Sequence, residues 1–444
     1  MSDVREAVES LFPSVRADLE RLVRIRSVSA DPAAADAVQA SAEAVADLAR
    51  GAGAKETEIL SVPGGQPAVV ARWPAPAGAP TVLLYAHHDV QPTGNPHEWS
   101  SPPFEPSERD GRIFGRGAAD DKAGVMAHIA ALRAFGGAPP VGVTLFVEGE
   151  EEIGSPTFSA FLETYRDRLS ADVIVVADSV NWSTDVPALT TSLRGLVDCE
   201  VELRVLEHAV HSGIFGGPVV DALTCLCRLL ATLHDSSGDV AIEGLVSSQA
   251  ADVDYPVDRF RAESSLLEGV ELAGTGSLAD RLWAKPALSV IGIDAPSVAE
   301  SANILIHRAR AKISLRLAPG QNPRHALDAL REHLTSHVEF GAEVTVTDGP
   351  TGAPCVLDTT SPAYQAAVDA LTEAFGVEPV QIGMGGSIPF IAEFEEAFPD
   401  APVLVTGVED PDSRAHGVDE SLHIDQFAKV CLAEALFLRR LADR

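Results

Sequence analysis

Histidine and acidic residues occur together in five short motifs of this 444-residue chain. The motifs are, in chain order, AHHDVQP (86–92), GRGAADDKAG (115–124), VEGEEEIGS (147–155), IVVADS (174–179) and RAHGVDE (414–420). Imidazole nitrogens and carboxylate oxygens are ligands that zinc and similar divalent cations take in proteins. The motifs therefore offer His87 and His416 as candidate ligands, together with one of two aspartates (120–121), one of three glutamates (150–152) and Asp178.

Short apolar runs stand in front of most of these motifs and predict the strands that position them. The runs are AVVARW (68–73), TVLLYA (81–86), VTLFVE (143–148), DVIVVAD (172–178) and APVLVTGV (401–408). Helix-like stretches over 122–135 and 156–168 alternate with them, which favours an α/β domain with a mostly parallel central sheet flanked by helices. Every run except the first ends in polar residues, as expected where ligands bind at the carboxyl ends of strands.

Each motif taken alone also has an ordinary structural interpretation. His87 and Asp89 can belong to a turn, Asp121 can cap the following helix, and the three glutamates can form a solvated acidic turn. Glu150, the first of the three, is expected to be solvated. Strand ends that bring histidine, aspartate and glutamate to one side of a sheet nevertheless favour two metal shells, in which one carboxylate bridges two cations.

A change in the pattern of apolar and polar residues near residue 188 predicts a second domain inserted into the first. Alternating strands (196–205 and 308–319) flank a helix-like run (218–235), which indicates an α+β domain over 188–350. The metal-binding domain then comprises 1–187 and 351–444. The apolar helix 218–235 is expected either at a subunit interface or in the core of the insert itself.

The charge balance limits the classes of partner. A formal net charge of −32 disfavours binding to nucleic acid or to anionic membranes, because both require a positive surface. The start MSDVREAVESLF lacks the apolar core of a signal peptide, and no apolar run is long enough for a membrane span. We therefore expect a cytoplasmic protein, in which the five cysteines are reduced thiols.

The order and spacing of the motifs, together with HSGIFGG (211–217) and GMGGSIP (383–389), resemble the co-catalytic zinc metallopeptidases. That family includes carnosinase-type cytosolic dipeptidases, acetylornithine deacetylase, succinyl-diaminopimelate desuccinylase and glutamate carboxypeptidase. The resemblance extends from about residue 10 to the end of the chain. It implies a catalytic domain with an inserted domain that serves as lid and dimerisation surface, and hence a homodimer.

The resemblance also assigns roles to individual residues. One metal is implied at His87, Asp120 and Asp178, and a second at Asp120, Glu152 and His416, so that Asp120 is the bridge. Glu151 matches the general base that activates a metal-bridging water, and Asp89 matches the acid behind His87. His211 matches a histidine that reaches across the dimer interface to stabilise the tetrahedral intermediate. Three further residues match positions that bind the carboxylate and carbonyl oxygen of the substrate: Asn303, Arg316 and Ser387.

Aspartate at the third ligand position and the motifs HSGIFGG and GGSIP resemble the dipeptidase side of the family. We therefore expect a dizinc metallopeptidase that cleaves the amide bond of dipeptides, with Mn²⁺ or Co²⁺ as alternative metals. An N-acyl-amino-acid deacylase or desuccinylase with the same machinery is the alternative. A catalytically silent metal-binding scaffold is disfavoured because the base and both metal shells are present.

Overall fold

The chain divides into two compact units. In a computed structural model, which describes residues 2–250, 252–386 and 389–443, the first unit comprises Met1–Thr191, Leu357–Ile382 and Pro389–Arg444. The second unit comprises Ser192–Val356 and Gly383–Ile388. We refer to these two sets of ranges as unit 1 and unit 2.

Along the chain, most elements of unit 2 fall between two sets of elements of unit 1. The first set contains α1 (Ser2–Val23), α2 (Ala35–Gly51), β1 (Glu56–Leu60), β2 (Ala68–Trp73), β3 (Thr81–His87), β4 (Ser107–Arg109), β5 (Arg112–Phe114), α3 (Lys122–Ala134), β6 (Gly142–Glu148), α4 (Phe158–Leu169), β7 (Val173–Val176) and β8 (Ala188–Leu193). The middle part contains β9 (Gly195–Arg204), β10 (Val210–His211), α5 (Ser212–Phe215), α6 (Ala222–Ala231), α7 (Val257–Glu263), β11 (Ala287–Asp294), β12 (Ile304–Leu305), β13 (Arg308–Leu317), α8 (Pro323–Ser336), β14 (Glu343–Gly352) and β15 (Cys355–Val356). The last part contains α9 (Pro362–Phe375), β16 (Val380–Met384), α10 (Pro389–Ala397), β17 (Val403–Val405), β18 (Ser421–His423) and α11 (Ile424–Ala442).

A sheet with parallel central strands forms the centre of unit 1. The order is β1-β2-β6-β3-β7-β17-β8, and the pairs β3–β6, β3–β7 and β7–β17 are parallel. Every residue of β6 is buried, as in a strand covered on both faces. The predicted α/β class, with a mostly parallel sheet flanked by helices, is confirmed.

Helices cover this sheet with their apolar faces. Helix α1 continues through Pro13, which does not end it, and buries Val15, Leu19 and Leu22 in the main core. Helix α3 is almost entirely buried and packs against α1, α11 and β3. The carboxyl ends of β3, β6, β7 and β17 lie at one edge of the parallel sheet, where the chemistry-bearing motifs follow them.

Unit 2 contains a separate antiparallel sheet. Its strands are ordered β11-β13-β9-β14, and α6 and α8 pack against it. Four residues of α6 (Ala222, Cys225, Leu226 and Leu229) are buried in the core of this unit, whereas Cys227 is exposed. The apolar face of α6 therefore belongs to the core of the unit.

The state of the cysteines and the apolar content of the helices also bear on what the sequence led us to expect. None of the five cysteines, all of which the structure describes, forms a disulfide. Among the described residues, no helix combines the length and apolar content that crossing a bilayer would require.

The chain after β17 passes unusually close to the chain after β7. A Cβ atom added to Gly407 would lie 1.5 Å from the carbonyl oxygen of Ser179. Glycine is therefore required where two strand ends approach this closely.

We expect Gly407→Ala to lower the free energy of unfolding by about 1–3 kcal/mol, because the added methyl group must displace backbone atoms. Denaturant unfolding of the metal-free protein measures the change. Gly51→Ala is the matched control, since nothing lies within 4 Å of its added Cβ, and it should cost no stability. Equal stability of the two variants would show that the strand ends can separate freely.

Candidate metal-binding active site

The carboxylate of Asp120 lies between two histidine side chains. Its Oδ1 is 3.1 Å from Nε2 of His87, and its Oδ2 is 3.0 Å from Nε2 of His416. Zinc lies about 2.1 Å from nitrogen and oxygen ligands, so two ligands at a tetrahedral angle are roughly 3.4 Å apart. Each oxygen of Asp120 thus forms, with one imidazole, a pair at nearly the spacing of two ligands on one metal.

His87 ends β3 and is oriented by Asp89. Nδ1 of His87 lies 3.1 Å from the carbonyl oxygen of Asp89 and 3.4 Å from its carboxylate. Both partners are acceptors, so Nδ1 donates to Asp89, and Nε2 faces the cluster, where it would serve as the metal ligand. The Asp89 carboxylate also accepts the backbone N–H groups of Glu151 and Glu152, at 3.3 and 3.1 Å. Asp89 therefore connects the first motif to the third.

The two glutamates form a short 3₁₀ turn, Glu151–Ile153, directly after β6. Oε2 of Glu152 lies 3.1 Å from Nε2 of His416, and Oε1 accepts the N–H of Gln91. Glu151 belongs to another group, in which an oxygen of its carboxylate, a ring nitrogen of His87 and a carboxylate oxygen of Asp178 lie within 4.8 Å of one another. The structure thus brings together all five residues predicted as metal ligands and the predicted base.

His416 belongs to a loop, in contrast to the ligand candidates at strand ends. Its backbone has a φ of 62°, a left-handed conformation that is uncommon for residues other than glycine. Its side chain is 60% exposed, whereas that of His87 is fully buried. The cluster is therefore open to solvent on the side of His416.

A buried ion pair holds the loop that carries Asp120. Glu420 accepts hydrogen bonds from the guanidinium of Arg116 and from the backbone N–H groups of Gly117, Ala119 and Asp120. Its motif was noted for chemistry, but this role was not predicted. What the sequence offered as an indication was that Glu420 lies four residues after His416, within the motif RAHGVDE (414–420).

The charges of the cluster strongly perturb its protonation. Hydrogen bonding of the His416 ring to the carboxylates of Asp120 and Glu152 raises the pKa of His416 to about 11. Burial, together with the charges of Asp120 and Glu152, raises the pKa of Asp178 to about 7 despite the opposing effect of His87. Burial is also the main cause of the strongly raised pKa of Glu151. In the absence of cations, carboxylates crowded in this way retain protons. Divalent metal ions neutralise the same negative charge when they bind. The donor set and its spacing therefore fit two metal ions.

Two acidic residues of the motifs, Glu150 and Asp121, have surroundings that differ from those expected. The expectation that Glu150 is solvated is wrong: it is buried and accepts hydrogen bonds from the N–H of Gln66 and from the N–H and hydroxyl of Thr157. The turn after β6 directs it back into the fold. Asp121 precedes α3, but its carboxylate makes no capping bond and instead accepts the N–H of His87.

Glu409 is a further acid at the cluster that the sequence did not reveal. Carboxylate oxygens of Asp120, Asp178 and Glu409 lie within 4.8 Å of one another. Glu409 lies seven residues before His416, outside the motif that contains that histidine. Only its position after β17, another strand of the parallel sheet, could have indicated it.

The remaining predicted residues belong to unit 2. His211 is exposed, and its Nδ1 accepts the N–H of Gly213 at 3.0 Å. Asn303 adjoins it, since the N–H of Ser212 donates to the carbonyl oxygen of Asn303. Arg316 is partly buried on β13, and Ser387 lies outside the described residues.

Arg194, which was not predicted, accompanies Arg316 in unit 2. Burial and the charge of Arg316 lower the pKa of Arg194 to about 10. The Arg194 guanidinium donates to the carbonyl oxygen of Gly385, in the GMGGSIP motif. Two guanidinium groups whose charges repel one another favour the binding of an anion near them.

Comparison with known proteins places the chain in a family. The sequence profile of "Peptidase family M20/M25/M40" matches residues 83–440. A cysteinylglycine-S-conjugate dipeptidase of Corynebacterium striatum is 37% identical over 367 residues, which cover 81% of this chain and 81% of that protein. A human Beta-Ala-His dipeptidase is 30% identical over 347 residues, or 73% of this chain and 68% of that protein.

The fold agrees with that assignment. The crystal structure of human carnosine dipeptidase 1 matches with a TM-score of 0.83 at 26% sequence identity, and the match covers 100% of this chain and 99% of that one. The predicted resemblance is thus confirmed: the chain belongs to peptidase family M20/M25/M40 and is a peptidase.

Proposed function

We propose that this peptidase hydrolyses the amide bond of dipeptides with two divalent metal ions. The observation that carries the proposal is the Asp120 carboxylate, with one oxygen directed at His87 and the other at His416. The relatives named as dipeptidases of cysteinylglycine conjugates and of Beta-Ala-His support a dipeptide as the substrate.

The proposed metal sites follow from these contacts. His87, Asp120 and Asp178 would hold one ion, and Asp120, Glu152 and His416 the other. Imidazole and carboxylate ligands suit Zn²⁺, which we propose over Mn²⁺ and Co²⁺. When bound, the ions lower the pKa of water and polarise the scissile carbonyl.

Glu151 is the proposed general base. Its carboxylate lies beside His87 and Asp178 but is needed by neither proposed metal shell. It would take a proton from the attacking water and deliver it to the nitrogen of the leaving amine. Asp89 fixes both the ring of His87 and the backbone of Glu151, so it positions ligand and base together.

Unit 2, which corresponds to the insert predicted over 188–350, is the proposed lid and dimerisation domain. Arg316 and Asn303 are proposed to bind the substrate's carboxylate and carbonyl oxygen together with Ser387, and the neighbouring Arg194 strengthens the positive field at Arg316. His211 is proposed to stabilise the tetrahedral intermediate in the partner's active site. Its Nδ1 accepts a hydrogen bond, which leaves Nε2 as the donor in the neutral ring.

A homodimer in the cytoplasm is the proposed assembly. Strand β11 is an edge strand of the unit 2 sheet, and it exposes the apolar side chains of Val290, Ile291 and Ile293. Exposed apolar edge strands are normally covered, and a second copy of the chain is the occupant that we propose. Neither nucleic acid nor membrane is a proposed partner, given the net charge of −32.

Deacylation of N-acyl amino acids with the same groups is the second candidate reaction. It is less favoured because both relatives named above are dipeptidases. A catalytically silent scaffold is disfavoured because the chain has both proposed metal shells and Glu151 in position.

Removal and replacement of metal test the function directly. Chelation should abolish cleavage of a dipeptide panel, and addition of Zn²⁺, Mn²⁺ or Co²⁺ should restore it, because the carboxylates and imidazoles alone cannot activate water sufficiently. N-acyl amino acids are assayed in parallel. No dipeptide turnover with any metal would refute the proposal, and faster turnover of acyl substrates would favour the deacylase.

Replacement of the base separates chemistry from metal binding. Glu151→Gln should lower kcat on the order of 10³-fold or more while the metal content stays near two ions per chain, because the amide cannot accept the proton. Elemental analysis and steady-state kinetics measure the two effects. Gln substitution of Glu108, which is on the surface and paired with Arg16, is the control. Full activity of Glu151→Gln would remove this residue from the mechanism.

Complementation between subunits tests the role of His211. His211→Ala should lower kcat, and mixing it with Glu151→Gln chains should recover up to about a quarter of wild-type activity through hybrid dimers. In a hybrid, one active site combines an intact Glu151 with the other chain's His211. Activity that stays at the level of the unmixed variants would mean that His211 does not act across the interface.

A further inference from the structure

Glu409 supplies a carboxylate that neither proposed metal shell requires. Its oxygens lie within 4.8 Å of carboxylate oxygens of Asp120 and Asp178. It does not share a ligand cluster of this kind with His87, among the residues that the structure describes. Glu409 therefore adjoins two of the proposed metal-binding acids, Asp120 and Asp178.

The backbone fixes this position independently of any metal. The carbonyl oxygen of Glu409 accepts hydrogen bonds from the N–H of Asn181 and from Nε2 of Gln426, and its own N–H donates to Ser179. In the described part of the chain, the hydrogen bonds of Glu409 are made by its backbone. The close approach of the chain at Gly407 fixes the same segment. The carboxylate is thus held at the cluster by the fold while its oxygens stay available.

The charge balance of the loaded site leaves this carboxylate without a partner. Two divalent cations carry four positive charges, and Asp120, Asp178, Glu152 and Glu151 together carry four negative ones when ionised. Metal-bound histidine is neutral, so His416 adds no charge. Among the described residues of unit 1, the buried arginine and lysine side chains are engaged elsewhere: Arg116 pairs with Glu420, and Lys122 donates to the carbonyl oxygens of Leu22 and Ile25. The fifth carboxylate would therefore be satisfied by a cation that arrives with the substrate.

A dipeptide brings such a cation to the required place. Its α-ammonium nitrogen is separated from the scissile carbonyl carbon by one tetrahedral carbon, a distance of about 2.5 Å. A carboxylate that binds this ammonium must therefore adjoin the groups that hold the metals, as Glu409 does. We propose that Glu409 binds the protonated α-amino group of the substrate and so makes the enzyme selective for peptides with a free amino terminus.

This inference rests on the proposed dipeptidase function and deepens it. An N-acyl amino acid has no ammonium group in this position, so binding it would leave the Glu409 carboxylate unpaired. Sites built around a hydrogen-bonding substrate group reject analogues that lack it, because the buried partner is then left unsatisfied. Glu409 would thereby distinguish dipeptide hydrolysis from deacylation by the same metal centre.

The test compares Ala-Ala with N-propionyl-alanine, which has the same amide and carboxylate but lacks the amine. In metal-loaded protein, Glu409→Gln should lower kcat/KM for Ala-Ala on the order of 10- to 100-fold, the worth of a charge-assisted hydrogen bond. The value for N-propionyl-alanine should be unchanged or higher. Asp412→Asn, an exposed acid of the same loop, is the matched control and should change neither.

Binding measured without turnover gives an independent readout. In the Glu151→Gln background, calorimetric titration with Ala-Ala should show a similar loss of affinity when Glu409→Gln is added, at two metal ions per chain. Glu409→Asp, which keeps the charge on a shorter side chain, should lose less than Glu409→Gln. This conservative variant also distinguishes loss of charge from a failure to fold.

The contrary outcomes are distinct. An equal loss for both substrates, or a fall in metal content, would make Glu409 a metal ligand and overturn the inference. Unchanged discrimination between Ala-Ala and N-propionyl-alanine in the Glu409→Gln variant would overturn the inference as well. If the wild-type protein cleaves no dipeptide, the proposed function fails, and the calorimetric comparison still decides whether Glu409 recognises the amine.

Discussion

The crowding of acidic side chains around Asp120 is the constraint on which the rest of the site depends. Like charges this close are unfavourable unless protons or metal ions neutralise them. The fold holds them in place by other means: the buried Arg116–Glu420 pair fixes the backbone of Asp120, and Asp89 fixes the backbone after β6. Electrostatic energy stored in this way is released when cations bind, so the same arrangement that weakens the metal-free protein creates its affinity for metal.

The parallel sheet explains why residues distant in sequence can form this cluster. Parallel strands direct their carboxyl ends to one edge, and β3, β6, β7 and β17 each lead into one part of the site. Their buried apolar residues fix the register, because a slip of one residue would turn every side chain to the other face. Because the register is fixed, the positions of the polar residues just beyond each strand are fixed as well. Chemistry at the edge of the sheet therefore depends on apolar packing in its interior.

This division explains which features were predictable from sequence. Apolar runs such as 81–86 and 143–148 identify buried strands, and the motifs after them identify most of the cluster. Glu150 was misjudged because three adjacent acids look alike in sequence, whereas the turn after β6 directs only this one back to Thr157. Glu409 and Arg194 escaped notice because their significance depends on contacts between segments far apart in the chain. Local pattern identifies groups at strand ends, but not the partners that tertiary packing gives to an isolated acid or arginine.

The two proposed metal positions are physically inequivalent, and the fold explains why. His87 ends one central strand and Asp178 follows another, and their side chains are fully or largely buried. The other position depends on His416, whose loop has left-handed backbone and a mostly exposed side chain. A ligand on an exposed loop loses more conformational entropy on binding than one fixed by a strand, so the second ion gains less net free energy from comparable bonds. The position near His416 is also open to solvent, so water can reach that side of the shared Asp120 carboxylate. The rigid side of the centre is therefore suited to holding a metal, and the open side to exchanging water and substrate.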